Sequence, residues 1–197
     1  MGGMTVDQVL GEFKKAGALL EGHFILTSGL HSDLYLQKSL IFTDAKATTK
    51  LIKALAQKVR EEVKGPYTAI VSTSVGGIVP GYEMGRQLGL PAFFVERVEG
   101  EFQLRRNFTL TRGQPVLIVD DIVSTGTSIK ECIAAVRKAG GKPVAVAALV
   151  DRTAGKVKFG IPFVTLAEWK VKAWEATKLP PHLRDIPAVK PGSRGLA

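Results

Sequence analysis

Between residues 67 and 168 the chain alternates two kinds of apolar pattern. Short unbroken runs, YTAIVS (67–72), PAFFVE (91–96), PVLIVD (115–120), PVAVAALVD (143–151) and PFVTLAE (162–168), have the length of strands. Continuous apolar runs of this kind form where both faces of a strand are covered. Stretches of helical spacing lie among them at 77–89 and 127–139. Pro80 falls in the first turn of one, and Gly140-Gly141 close the other. Strand and helix in alternation predict an α/β fold with a mostly parallel central sheet flanked by helices.

Ahead of this region, Val6, Val9, Leu10 and Phe13 make one apolar face, and Thr5 with Gln8 has the spacing of a capping box. The pattern predicts an amphipathic helix over 5–20. The passage GHFILTSGLHSDLYLQ (22–37) predicts short strands around a turn at Ser28-Gly29. A second helix is predicted over 45–64, with Ile52, Leu55, Val59 and Val63 on one stripe. The tail, KLPPHLRDIPAVKPGSRGLA (178–197), is rich in proline and predicted to be irregular.

At 197 residues the chain has the size of one ordinary domain. No apolar run approaches the roughly 18 residues of a membrane span. The start, MGGMTVDQVLGEF, lacks the pattern of a secretion leader, and Val6 replaces the hydroxyl residue that acylation at Gly2 would want, so a cytosolic location is expected. The single cysteine, Cys132, excludes an internal disulfide or a cysteine metal cluster; its helical phase with Ile129, Ile133 and Val136 predicts core packing. A formal charge of +9 favours anionic partners, phosphorylated metabolites or nucleic acid. The basic residues are scattered and not interleaved with aromatics, which weakens the nucleic-acid alternative.

The chemistry concentrates in VLIVDDIVSTGTS (116–128). Asp120 and Asp121 stand at the carboxyl end of a predicted strand, where open parallel sheets bind ligands. Ser124, Thr125, Thr127 and Ser128 then surround Gly126 at the start of a helix, whose first amides are unpaired and suited to a phosphate. Two carboxylates beside a phosphate would repel it, unless sugar hydroxyls or Mg²⁺ lie between them. A helix cap and a turn residue are the plainer alternative, but that leaves the second acid without a purpose. No GxxxxGK[ST] occurs, nor any GxGxxG after a strand.

The stretch resembles the signature of the phosphoribosyltransferases, which use 5-phosphoribosyl 1-diphosphate (PRPP) and Mg²⁺. The resemblance implies PRPP binding by Asp120, Asp121, Ile122, Val123, Ser124, Thr125, Gly126, Thr127 and Ser128, with Mg²⁺ carried by PRPP near the two acids. STSVGGIVPG (72–81) resembles the family's diphosphate loop, with the amides of Gly76 and Gly77 left free. GHFILTSGLHSDLYLQ resembles the substrate segment of the orotate phosphoribosyltransferases through Phe24, Leu26, Ser28, Gly29, Ser32 and Tyr35. In ALVDR, Arg152 is by itself a surface arginine; in register with the other stretches it matches the residue that grips the carboxylate of orotate, a task suited to a planar fork.

The resemblance thus implies orotate contacts from Ser124, Arg152, Tyr35 and Leu36, catalytic roles for Asp120, Asp121 and Arg97, a homodimer, and three segments. These are a substrate-covering hood (1–40), a PRPP-binding core (41–170) and the tail (171–197). The chain departs from the pattern at Thr27, where many relatives carry a basic residue. It departs again in ERVEGEFQLRRNFTLTR (96–112), a shorter loop without lysine or histidine. Arg97 is assigned the part of the loop lysine, with Arg105 and Arg106 as further loop contacts; the alternative is a solvated hairpin bearing three exposed arginines. Leu179 and His182 stand where some relatives carry a cysteine pair, so no metal site is expected there. His23 is taken as a turn residue, His31 is divided between surface and phosphate contact, and Trp169 and Trp174 are taken as packing. A purine or uracil transferase, or a PRPP-sensing regulator of nucleic acid, remains as an alternative function.

Overall fold

The computed structural model describes residues 3–26 and 28–191. Gly2, Thr27 and the end of the tail from 192 onward, each named above, lie outside the described residues. The chain opens with helix α1 (Val6–Lys15), capped reciprocally by Thr5 and Gln8, with Val9 and Phe13 fully buried. The helix stops five residues short of the predicted end because Gly17 adopts a left-handed φ of 66°, and the next residues are needed in a strand. Strands β1 (Leu19–Ile25) and β2 (His31–Leu36) form an antiparallel hairpin, the hood. A 3₁₀ turn over 38–43 leads to helix α2 (Ala45–Glu62), capped by Asp44.

The core follows as β3 (Ala69–Thr73), α3 (Ile78–Leu88), β4 (Ala92–Val98), β5 (Glu101–Leu104), β6 (Pro115–Val123), α4 (Thr127–Lys138), β7 (Lys142–Asp151) and β8 (Phe163–Glu168). Its six-stranded sheet has the order β5-β4-β3-β6-β7-β8, parallel except for β5. Alternate residues of the central strands serve two apolar layers. Ile70, Leu117 and Val119 pack with α1, α2 and α3, whereas Val71, Val116 and Ile118 pack with Ile129, Cys132 and Val136 of α4. Each fully buried aliphatic side chain contributes about 1.5–3 kcal/mol, so this double-sided burial holds the strand ends in place. Among the described residues, no helix is long and apolar enough to cross a membrane.

The tail is more ordered than its prolines suggested. Helix α5 (Pro181–Arg184) buries Leu183 to 1% exposure, and two backbone bridges lash the tail to the hood. His31 and Trp174 exchange amide bonds of 2.8 Å each, while Val189 donates to His23 O and accepts from Ile25 N. Prolines remove backbone donors but leave such isolated bridges open.

Candidate active site

Strand β6 continues two residues past the acidic pair, so Asp120 and Asp121 sit within its last four residues and are nearly fully buried. Asp120 accepts a 2.8 Å bond from Thr73 Oγ1, at the end of β3, and a 2.9 Å bond from the amide of Asp121. Burial, and then the adjacent Asp121 charge, push its carboxyl up to about 7. Asp121 faces Lys38, which enters from the hood side. The ammonium lies 2.9 Å from each carboxylate oxygen and donates to Oδ1; Oδ2 is buried without an aligned hydrogen bond among the described residues.

Asp120 and Lys38 line a cavity of about 230 Å³ together with Thr73 to Gly76, Ser124, Thr125, Gly126 and Ser128; Asp121 is not among the lining residues and meets the cavity through its contact with Lys38. Helix α4 starts on its rim with Gly126 as cap; Thr127 N donates a long 3.4 Å bond to Thr125 Oγ1, and the cap itself has no side chain to offer the other first amides. Ser124, Thr125, Thr127 and Ser128 are exposed, so a ring of hydroxyls and amides faces the space opposite the carboxylates. Gly126 is required twice over: its φ is 79°, and a Cβ there would lie 2.6 Å from Val157 Cγ1. The side chains of Ile122 and Val123 are buried in the two core layers, which leaves only their backbone for a ligand.

The loop from β3 to α3 closes the other side. A Cβ on Gly76 would lie 2.2 Å from Asp121 Oδ2, and one on Gly77 would lie 2.7 Å from Thr73 O. The absent side chains therefore make room for the acid and for the tight turn. The amide of Gly77, expected to be free, is instead given to Thr73 O at 3.0 Å, because the helical turn begins there.

Arg152 follows β7 directly, half-buried, its amide bonded to Val123 O at 2.8 Å. Buried Asp151 holds the next loop by accepting the amides of Thr153 and Gly155. Burial pulls the Arg152 guanidinium below its usual value, with Tyr35 acting the opposite way; neither Arg152 nor Tyr35 lines the cavity. Leu36 is not part of that group: the next residue along a strand points to the other face, and its side chain lies in the core.

The arginine loop forms the β4–β5 hairpin. Arg97 pairs with Glu131, donates to Gly100 O at 2.6 Å and stacks 4.2 Å over Phe102; Arg105 and Arg106 engage Glu96. Glu96 of the hairpin and Glu131 of α4 hold all three, and none lines the cavity. Lys38 and Thr73 were not singled out in the sequence. Only their contacts identify them, and the Lys38–Asp121 pair spans 83 residues of chain. His23 is not a turn residue. It is buried in β1, 2.7 Å from Ile186 O and 2.6 Å from His31 Nδ1, so both histidines belong to the seam between hood and tail. Trp169 packs against the core, and Trp174 makes the backbone bridge to His31.

Residues 40–179 match the phosphoribosyl transferase domain family. Over 98% of its length the chain is 57% identical to the orotate phosphoribosyltransferase of Maricaulis maris and 55% identical to that of Parvibaculum lavamentivorans, both covered in full. Among solved structures it is similar to the orotate phosphoribosyltransferase of Aeropyrum pernix, with a TM-score of 0.70 and 25% identity over 81% of this chain and 92% of that one. It shares the fold of the Mycobacterium tuberculosis enzyme, with a TM-score of 0.65 and 20% identity over 82% and 95% of the two chains.

Proposed function

The chain belongs to the phosphoribosyl transferase domain family and, within it, to the orotate phosphoribosyltransferases, and from that premise we propose how its residues carry the transfer of a 5-phosphoribosyl group from PRPP to orotate. One observation carries the reading: the buried carboxylate of Asp120 and a helix start capped by glycine line the same small cavity, to which buried Asp121 is joined through Lys38. The 5′-phosphate is assigned to the loop from Ser124 to Ser128, where amides and hydroxyls supply donors without a fixed cation. Asp120 and Asp121 accept the ribose hydroxyls. The loop from Thr73 to Gly77 takes the diphosphate, and Arg152 with Tyr35 takes the carboxylate and ring of orotate.

N1 of orotate displaces diphosphate at C1, through a state with positive charge on the sugar. The protein contributes alignment of the two reactants and negative charge beneath the ring. The hood holds orotate over C1, and the tail secures the hood. The hairpin arginines are given no part in this scheme.

Mg²⁺ is proposed to arrive with PRPP. The donor set fits that role: Asp121 Oδ2 lacks a hydrogen bond, Asp120 is a hard oxygen donor beside it, and Mg²⁺ commonly takes one or two carboxylates plus phosphate oxygens. When bound, the ion offsets charge on the diphosphate.

A homodimer is proposed on the family pattern and on one surface. Val75, Val79 and Tyr82 form an exposed apolar stripe along the start of α3, with Val75 82% and Tyr82 68% exposed. The chain is proposed to work in the cytoplasm. The reaction is tested by the loss of orotate absorbance on adding PRPP and Mg²⁺, with uracil and hypoxanthine as competing bases. Orotate should be consumed and the other two ignored; transfer to uracil or hypoxanthine instead would overturn the assignment of Arg152.

A further inference from the structure

The cavity is lined by the carboxylate of Asp120, with that of Asp121 held on its lining residue Lys38, yet its ligand carries a 5′-phosphate and a diphosphate. Helix amides answer the 5′-phosphate, whereas the loop from Thr73 to Gly76 contains no cation to answer the diphosphate. The arginines that could have supplied one are bound to Glu131 and Glu96. Among the described residues that line the cavity, Lys38 is the single cationic side chain.

Its placement is unusual for a structural ion pair. The Asp121 side chain is 1% exposed, but that of Lys38 is 50% exposed, so the ammonium reaches down from solvent onto a buried acid. It rests against Gly76: a Cβ on that glycine would come within 3.2 Å of Nζ. The loop that is to hold diphosphate therefore already touches Lys38, and lysine's flexible stem allows a short move between the two.

We propose that Lys38 is the residue that grips the diphosphate, parked on Asp121 until substrate enters. The inference rests on the reading of this cavity as the PRPP site. Asp121 could not release the ammonium into an empty cavity, since a buried carboxylate without a partner is costly. Ribose hydroxyls remove that obstacle by taking over Asp121, so the move of Lys38 is coupled to the arrival of the sugar. As the C1–O bond breaks, its electron pair stays on the diphosphate oxygen and the deprotonated N1 of orotate forms the new bond. Lys38 keeps its protons and acts through charge and hydrogen bonds alone.

Calorimetric titration of wild type and Lys38→Gln tests this. Glutamine keeps a donor for Asp121, and thermal denaturation of both proteins, with Lys38→Arg as a charge-retaining second variant, reports folding. The probes are PRPP, which carries both the ribose and the diphosphate, and orotidine 5′-phosphate, which carries the ribose phosphate without a diphosphate. We expect Lys38→Gln to lose about tenfold to a hundredfold in PRPP affinity, the scale of a charged hydrogen bond. Its orotidine 5′-phosphate affinity should stay within about threefold of wild type, and Lys38→Arg should recover part of the PRPP affinity. Unchanged PRPP affinity, or equal losses for both probes, would mean that Lys38 merely ties hood to core. If wild type takes up neither PRPP nor orotidine 5′-phosphate, the functional reading itself falls, and the inference falls with it.

Discussion

Asp120 and Asp121 are adjacent in sequence but differ in chemistry. Asp121 is buried against an ammonium, whereas Asp120 has only neutral donors at hydrogen-bond distance and is pushed up to about 7. Replacing Asp121 with Asn removes one oriented charge from beneath the sugar. The expected cost is about 3 kcal/mol of transition-state stabilisation, seen as a fall in kcat of a hundredfold or more; near-normal turnover would show that the acid does not face the reacting ring. For Asp120 the consequence is for stability. In the free protein the folded state holds this proton up to about 7, whereas the unfolded chain releases it near the ordinary carboxyl value of 3.8. Between those values the folded state binds more protons, so this group's contribution to stability declines as pH rises from about 4 to 7. Denaturant unfolding in metal-free buffer should show that decline in wild type and its loss in Asp120→Asn. The acidic pair was legible in the sequence because two acids following an apolar run have no structural purpose. Lys38 was not, because its meaning lies in a contact with a residue distant in the chain.

At the level of elements, the core strands were legible because both faces of each are buried, which leaves no polar alternation to obscure the runs. Limits set by a single backbone conformation were not. Gly17 ends α1 early, and the arginine loop folds back as β5, its arginines partnered by Glu96 and Phe102 of the hairpin and by the distant Glu131 of α4. The tail was misjudged for a similar reason: Leu183 and two backbone bridges outweigh its prolines. Leu183→Ala should cost about 2–5 kcal/mol by leaving a cavity under the tail. Because the tail steadies the strand that carries Tyr35, the KM for orotate should rise more than the KM for PRPP; equal changes would detach the tail from the orotate side. In the phosphate loop, Gly126→Ala meets both a positive φ and Val157, so PRPP affinity should fall even if the variant folds.

Taken whole, the molecule places two pieces around one space: Lys38, from the link between hood and core, and the Asp120 and phosphate-loop residues of its middle strand. A charge of +9 favours phosphorylated ligands at long range, and the cavity then selects among them by shape and donors. The exposed stripe on α3 bears on assembly. Tyr82→Glu should shift a dimer toward monomer in light scattering, and a protein that is monomeric before the change would remove the case for a pair. The most direct measurement of the central claim is a crystal structure with PRPP and Mg²⁺ bound. The 5′-phosphate should lie among the amides and hydroxyls from Ser124 to Ser128, with the ribose hydroxyls within hydrogen-bond distance of Asp120 and Asp121. A sugar bound elsewhere, or an undisturbed Lys38–Asp121 pair with that cavity empty, would contradict it.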